Sequence, residues 1–154
     1  DYMRMVGSFR AIFMRTADAL INQDKYDSAK KVLTKMFETF PDEIFPYDIF
    51  CVGSLEQLIK LGEYNLALDI ATKLYNNSSM ELAYYLKVAE RKEGLMEDEI
   101  TKSYHILYSV YEAVNRASPV LRDSTLKSRY ETLKNEMEPQ IKEFTIRINK
   151  MIHP

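Results

Sequence analysis

The sequence has few of the residues that build metal centres and disulfide frameworks. Its 154 residues include one cysteine and two histidines, His105 and His153. One cysteine excludes an internal disulfide and any metal site made only of cysteines. Two histidines are too few for most zinc arrangements. We therefore expect no metal and no cofactor.

Glycine, proline and excess charge are also scarce. Four glycines and five prolines are too few for a loop-rich β-sandwich or a disordered linker. The 21 basic and 23 acidic side chains leave a formal net charge of −2, which favours neither nucleic acid nor an anionic membrane as a partner. No run approaches the roughly 20 apolar residues that cross a bilayer, and the N-terminus lacks a signal-peptide core. We expect no nucleic-acid binding and no membrane span in this chain.

Apolar residues recur at spacings of three and four along most of the chain, which predicts an all-α fold. We predict about seven helices, arranged as a stack of antiparallel pairs in a single domain, residues 1–154. A turn at 76–79 is predicted to separate the fourth helix from the fifth. The last helix contains Pro139, and its uninterrupted apolar stripe favours one kinked helix over two. The first helix, about 8–22, is predicted to turn inward Phe9, Ile12, Phe13, Ala17, Leu20 and Ile21.

The sequence contains an internal repeat. Residues 24–29 read DKYDSA and residues 62–67 read GEYNLA, so that Tyr26 aligns with Tyr64 and Ala29 with Ala67, 38 residues apart. Each match opens the second helix of a helix–turn–helix unit. Alanine lets two helix backbones approach closely, and tyrosine anchors a turn with its ring while its hydroxyl stays in water. We predict one unit over about 8–41 and a second over about 48–77.

These turns resemble the tetratricopeptide repeat, a pair of antiparallel helices. The period is 38 rather than about 34, with the extra residues in or near the connector PDEIFPYD, residues 41–48. Ser79 stands where the second unit would have its proline, and Cys51 stands where the first unit has the aromatic Phe13. The resemblance implies a third helix pair over about 78–117 and a capping helix over about 122–152. The matching residues are Tyr26, Ala29, Leu33 and Pro41 in the first unit and Gly62, Tyr64, Ala67 and Leu74 in the second.

A second resemblance covers roughly the first 90 residues. Residues 13–48, with ELAYYL at 81–86, are similar to the C-terminal soluble region of uncharacterised bacterial multi-pass membrane proteins whose membrane part resembles protein O-mannosyltransferases. This resemblance, and the lack of an initiator methionine, imply the tail of a membrane protein, placed outside the cytoplasmic membrane in the periplasm; a cytoplasmic location is the alternative. The residues that carry it are Arg15, Ala17, Ala19, Leu20, Ala29, Pro41, Pro46, Tyr47 and Asp48.

The tetratricopeptide resemblance also implies a binding groove. In such arrays the first helix of each pair lines a concave surface, which here gives Met14, Arg15, Asp18, Val52 and Glu56. The lysine and asparagine residues with which one subgroup clamps a peptide carboxylate are absent at these positions. A groove of mixed apolar and acidic character suits a basic or amphipathic segment.

Residues that could carry chemistry are isolated in the sequence. Cys51 has no histidine near it in sequence to stabilise a thiolate, so we expect a buried, inert thiol. His105 is expected at the surface. The acidic pairs at 42–43 and 97–99 are expected to complement the positive ends of helices rather than to act as catalytic carboxylates.

Five tyrosines cluster in the predicted third helix pair. Their spacing is that of a core stripe, so we expect them to be mostly buried. Exposed rings would instead suit stacking on a sugar. They are Tyr84, Tyr85, Tyr104, Tyr108 and Tyr111.

Three functional hypotheses follow from these patterns. The first is a non-enzymatic protein–protein interaction module that binds a protein or peptide partner, or the membrane domain of its own chain. The alternatives are a carbohydrate-binding helical module that uses exposed tyrosines, and a free-standing helical-repeat adaptor. An enzyme would need clustered titratable groups in a cleft, and the sequence gives no sign of them.

Overall fold

The computed structural model describes residues 1–153, which form six α-helices and a short 3₁₀ turn. No strand occurs among these residues, so the all-α prediction is confirmed. None of the helices in this range combines the length and apolar character that a membrane span requires. The helices are α1 (Tyr2–Asn22), α2 (Tyr26–Thr39), α3 (Ile49–Lys60), α4 (Tyr64–Arg91), α5 (Glu97–Ala117) and α6 (Ser124–Ile152), and the turn is Ser118–Val120.

Helix ends lie where capping chemistry places them. Asp48 caps α3 by accepting the N–H of Phe50 at 3.0 Å, as predicted. Asp123 caps α6 by accepting the N–H of Leu126 at 2.7 Å. Gly62 follows α3 with a φ of +78°, the left-handed conformation that a helix-ending glycine adopts at least cost.

The predicted turn at 76–79 does not exist, so six α-helices form where about seven were expected. The chain stays helical from Tyr64 to Arg91. The Ser78 hydroxyl donates to the Leu74 carbonyl one turn earlier at 2.6 Å, and the Ser79 hydroxyl donates to the Asn76 carbonyl at 3.1 Å. Because these bonds satisfy both hydroxyls within the helix, the polar run does not break it. The predicted third pair therefore begins as the continuation of α4 and not as a separate helix.

Pro139 lies inside α6, and the helix runs on through it. Proline removes one backbone hydrogen bond and costs about 3 kcal/mol in a helix interior. The buried face of α6 continues on both sides of the proline, which holds the helix together. This face consists of Tyr130, Leu133, Met137, Ile141 and Phe144.

The chain divides into two compact units, residues 1–73 and residues 74 onward, with α4 contributing to both. In the first unit α1 packs on α2 and α3. In the second unit α5 packs on α6. Fully or almost fully buried side chains include Ala17, Leu33, Met36 and Leu55 in the first unit and Leu107, Val110, Val114 and Met137 in the second.

The internal repeat is visible in the backbone hydrogen bonds of the first unit. The α1–α2 turn has a bond from the Lys25 N–H to the Leu20 carbonyl at 2.9 Å, and the α3–α4 turn has the same bond from Glu63 to Leu58 at 2.9 Å. The residue before each donor has a positive φ, +58° at Asp24 and +78° at Gly62. Every one of these positions is related by the 38-residue shift found in the sequence. Ala29 and Ala67, the aligned small residues, are both fully buried.

Candidate functional site

Arg10 organises the connector between α2 and α3. Its side chain is 0% exposed. One terminal nitrogen, Nη1, donates to the Pro46 carbonyl and to Asp48 Oδ2, each at 3.0 Å. The other, Nη2, donates to the carbonyls of Phe40 at 3.1 Å and Phe45 at 2.7 Å. A single guanidinium thus binds both ends of the connector, because its planar fork presents several donors in fixed directions.

The surroundings of Arg10 complete a buried polar cluster. The guanidinium carbon lies 5.5 Å from the centre of the Tyr47 ring, a cation–π distance. Burial raises the pKa of Tyr47 to about 12. The Tyr47 N–H in turn donates to Asp42 Oδ1 at 2.8 Å. The connector is therefore an ordered segment fixed by α1.

The sequence pattern did not identify Arg10 as a buried residue. Its burial turns a different side of α1 inward from the side that was predicted. The predicted face included Phe9 and Ile12, but both side chains are exposed, and the face that packs inward includes Val6, Arg10, Ala17 and Ile21. The physical reason is that the connector offers three carbonyls and a carboxylate on that side. A charged residue that finds four acceptors replaces an apolar one.

This arrangement leaves an exposed apolar stripe beside the packed side of α1. Tyr2, Met5, Phe9 and Ile12 follow one another at spacings of three and four, so they share one side of the helix. Their exposed fractions lie between 44% and 62%. We call these four residues the α1 face. Two of its members, Phe9 and Ile12, were predicted to point inward and are exposed.

None of the five predicted groove residues belongs to the α1 face, although Arg15 lies at its edge. Val52 is buried, and Met14 is half-buried. Arg15, Asp18 and Glu56 are exposed. Asp18 Oδ1 accepts a hydrogen bond from Gln57 Nε2 at 2.7 Å, and the Met14 carbonyl accepts from the same nitrogen at 2.9 Å. Met14 and Asp18 therefore belong to the contact between α1 and α3.

The tyrosine cluster is not buried, which overturns the prediction of core packing. Tyr84 is 61% exposed and Tyr108 is 42% exposed, while Tyr85, Tyr104 and Tyr111 are half-buried. The inward face of α5 is instead made by Ile100, Ser103, Leu107, Val110, Ala113, Val114 and Ala117.

Three of these tyrosines form a row along α5 in the second unit. The Tyr104 and Tyr108 rings are nearly parallel with centres 6.1 Å apart, and the Tyr108 and Tyr111 rings are tilted with centres 6.2 Å apart. Tyr104 shares a hydrogen bond with Thr145 of α6 at 2.9 Å, and Tyr111 donates to Glu138 of α6 at 2.8 Å. This last bond raises the pKa of Tyr111. The outer two rings are therefore fixed to α6, and the middle ring is the most exposed of the three.

Cys51 is a buried thiol. It is fully covered, and burial raises its pKa to about 12. The thiol lies 3.7 Å from Asp48 Oδ1, an anionic neighbour that also disfavours a thiolate. A nucleophilic cysteine needs a stabilised thiolate, so this environment suits packing rather than catalysis.

The adjacent acidic residues at 42–43 and at 97–99 make local structural interactions. Glu97, Asp98 and Glu99 lie in the first turn of α5, where they complement the helix dipole as predicted. The pair at 42–43 lies inside the connector instead of at a helix start: Asp42 binds the Tyr47 N–H, and Glu43 lies 3.5 Å from Lys73. Among residues 1–153, no three His, Cys, Asp or Glu side chains are grouped as metal ligands, and His105 is exposed.

A cavity of about 710 Å³ lies in the second unit, between the end of α4, the start of α5 and the end of α6. Its apolar wall includes Ile100, Ile148 and Met151, and its acidic wall includes Glu90 and Glu97. Arg147 pairs with Glu90 at 2.9 Å. Among the described residues that line it there is no histidine, cysteine or serine.

Comparisons with protein-family models, with curated proteins and with solved structures found no match to this chain.

Proposed function

We propose that this chain is a non-enzymatic interaction module that binds a protein or peptide partner. The observation that carries the proposal is the α1 face, four large apolar side chains exposed on one side of a helix whose other side is packed. The largest exposed apolar patch of a soluble monomer, typically about 300–600 Å², often has a function. Arg10 supports the same interpretation, because its four hydrogen bonds hold α1 and the connector in one arrangement before any partner binds.

The chemistry of the remaining candidates agrees with binding rather than catalysis. Catalysis by a nucleophile requires an activated side chain beside a base, and Cys51 is buried with a raised pKa. The carboxylates at 42–43 and 97–99 are used in local structure. We therefore propose that no residue of this chain has a catalytic role.

We further propose that the module is the extracytoplasmic tail of a bacterial membrane protein that resembles a glycosyltransferase. This proposal rests on the sequence resemblance over roughly the first 90 residues. The coding sequence upstream of Asp1 tests it directly. Several hydrophobic segments of about 20 residues ending shortly before Asp1 would support it. A start codon close to Asp1 without such segments would refute it and leave a free-standing adaptor.

Affinity capture with matched surface variants tests the interaction role. The immobilised chain is compared with Ile12→Glu, which places a charge in the α1 face, with the double variant Asp18→Arg and Glu56→Arg, which alters the predicted groove, and with Tyr108→Ala. We expect the wild-type chain to retain at least one protein that one of these variants no longer retains. Retention of the same proteins by all the variants would refute a specific interaction surface.

A second candidate function is carbohydrate binding through the tyrosine row. The observation that favours it is the exposure of Tyr84 and Tyr108, since an interaction module of the first kind was expected to bury these rings. Aromatic rings with a polar tip suit a surface that is partly apolar and partly wet. Glu138 and Lys142 lie beside Tyr111 around a cavity of about 200 Å³ and offer hydrogen bonds to sugar hydroxyls.

A glycan array followed by calorimetry tests this candidate. We expect Tyr108→Ala to weaken glycan binding at least tenfold and to leave the circular dichroism spectrum unchanged, because the ring is exposed. Ile12→Glu, on the α1 face, is the matched control and should have no effect on glycan binding. Absence of any glycan signal from the wild-type chain would exclude this candidate.

A further inference from the structure

We propose that the α1 face binds an amphipathic helix of a partner protein, and that this helix carries acidic residues along one edge of its apolar stripe. This inference rests on the proposed interaction function and names the chemistry of its partner. It follows from the shape of the α1 face, from the different character of its two edges and from the lack of acidic residues along it.

The α1 face has the form of a helix-binding surface. From Tyr2 to Ile12 it covers eleven residues, and the ten steps between them span about 15 Å along a helix axis. With on the order of 200 Å² per large side chain and about half of each exposed, the four residues present roughly 400 Å². An apolar stripe of this length matches three turns of a second helix, whose anchors recur at three and four residues.

The two edges of the face differ in character. On one edge lie Arg4 and Arg15, both exposed, about 16 Å apart along α1. The connector is bound by Arg10 and not by these two arginines, and both of them are exposed to solvent. The other edge is aromatic: the Phe40 ring lies 5.9 Å from the Phe9 ring, and the Phe45 ring lies 5.5 Å from the Tyr2 ring. A bound helix therefore meets positive charge on one side and apolar rings on the other.

Charge complementarity selects the occupant. Between Tyr2 and Ala17, α1 contains no acidic residue. The nearest carboxylates on either side already accept hydrogen bonds within the unit, Asp1 from the Met3 N–H and Asp18 from Gln57. A second copy of the face would bring two more arginines and no carboxylate from this stretch. An anionic lipid surface is recognised by clusters of four to eight basic residues, and this face has two. A helix with an apolar stripe and acidic residues on one flank satisfies both edges at once, because Arg–carboxylate pairs form at Arg4 and Arg15 while the stripe covers the rings.

Two designed peptides test the proposal with the full chain. Both are 18-residue amphipathic helices with the same leucine stripe; the first has glutamates along one flank and the second has lysines at those positions. We expect the acidic peptide to bind at least tenfold more tightly than the basic one at low salt, by fluorescence anisotropy. Ile12→Glu should weaken binding of the acidic peptide at least tenfold. Thr34→Glu, an exposed position on α2 with the same change in charge, is the matched control and should have no effect.

Charge reversal at the edge separates this proposal from general stickiness. The double variant Arg4→Glu and Arg15→Glu should reverse the order of the two peptides. Equal binding of both peptides, or binding that Ile12→Glu does not change, would overturn the proposal. Light scattering that gives twice the chain mass, lost in Ile12→Glu, would overturn it in favour of a second copy. Binding to vesicles of phosphatidylcholine with phosphatidylserine, lost in the same variant, would overturn it in favour of a membrane.

The peptide test and the capture test fail independently. If the peptides do not bind but the wild-type chain still captures a protein that Tyr108→Ala or the double variant at Asp18 and Glu56 loses, the interaction function stands and the assignment of the α1 face is wrong. If neither experiment gives a signal, both the face and the interaction function are wrong.

Discussion

Replacement of Arg10 tests the central packing argument. We expect Arg10→Met to lower the free energy of unfolding by about 3–5 kcal/mol. Methionine keeps much of the apolar volume of the arginine stem and removes the charge with all four hydrogen bonds. The variant therefore isolates the polar contribution of the side chain.

The expected loss follows from the groups that the substitution leaves behind. Three of the acceptors are the backbone carbonyls of Phe40, Phe45 and Pro46, which no side-chain replacement can remove. An acceptor that loses its donor costs about 1–3 kcal/mol when buried, and less when water can reach it. Asp48, partly exposed, also loses its ion-pair partner. A total of about 3–5 kcal/mol is a large part of the 5–15 kcal/mol that stabilises a typical domain.

Urea unfolding followed by far-ultraviolet circular dichroism measures the loss. Arg15→Met, at an exposed position of the same helix, is the control and should change stability by less than about 0.5 kcal/mol. Arg10→Lys should recover only part of the loss, because an ammonium group has three donors and no planar fork. Asp48→Asn keeps a good helix cap and removes the charge, so a double-mutant cycle with Arg10→Met should give a coupling of at least about 1 kcal/mol. A loss at Arg10 no larger than that at Arg15, or strict additivity with Asp48→Asn, would refute the reasoning.

Three further predictions follow. Gly62→Ala should lower the stability measured by thermal denaturation by about 1–2 kcal/mol, because the positive φ strains an alanine even though its methyl group meets open space. Asp24→Gly, at the equivalent turn, should leave stability unchanged or raise it. Equal effects of the two variants would contradict the equivalence of the two turns. Burial raises the pKa of Cys51 from an ordinary 9.0 to about 12, so only the unfolded thiol ionises between these values and stability should fall as pH rises through that interval. Urea midpoints measured across this pH range should show the fall, and Cys51→Ala should make it shallower. Pro139→Ala should raise the stability of α6 by about 1–3 kcal/mol by restoring a backbone donor, and an unchanged melting temperature would contradict this.

Much of the fold could be predicted from the spacing of apolar residues and from the residues that begin and end helices. The all-α class, the helix ends at Asp48 and Gly62 and the repeat turns all follow from local chemistry that acts within a few residues of itself. The turn at 76–79 was wrong because Asn and Ser favour turns only when their side chains compete with the helix for backbone groups. Ser78 and Ser79 instead bond to carbonyls of the preceding turn and are buried, a choice made by packing that the local sequence does not reveal.

The candidate site was less accessible, because its residues are defined by distant partners. Arg10 is separated by at least 30 residues from every group it binds. Its position in the sequence therefore resembles that of any surface arginine. Phe9 and Ile12 of the α1 face were predicted to be core for the same reason. Periodicity shows that Phe9 and Ile12 lie on an apolar side of the helix, but not that another side offers the acceptors that bring Arg10 inward.

The tyrosine row repeats this lesson with a different side chain. Tyrosine has an apolar ring and a polar tip, so a spacing of four and three fits both a core stripe and a row at the boundary between two helices. On α5 the hydroxyls decide between these arrangements. Tyr104 and Tyr111 reach Thr145 and Glu138 of α6, and these bonds hold the rings across the edge of the helix contact instead of beneath it. Arginine and tyrosine are both placed by the partner of the polar tip, and for that reason both binding surfaces proposed for this chain were hidden in an ordinary helical pattern.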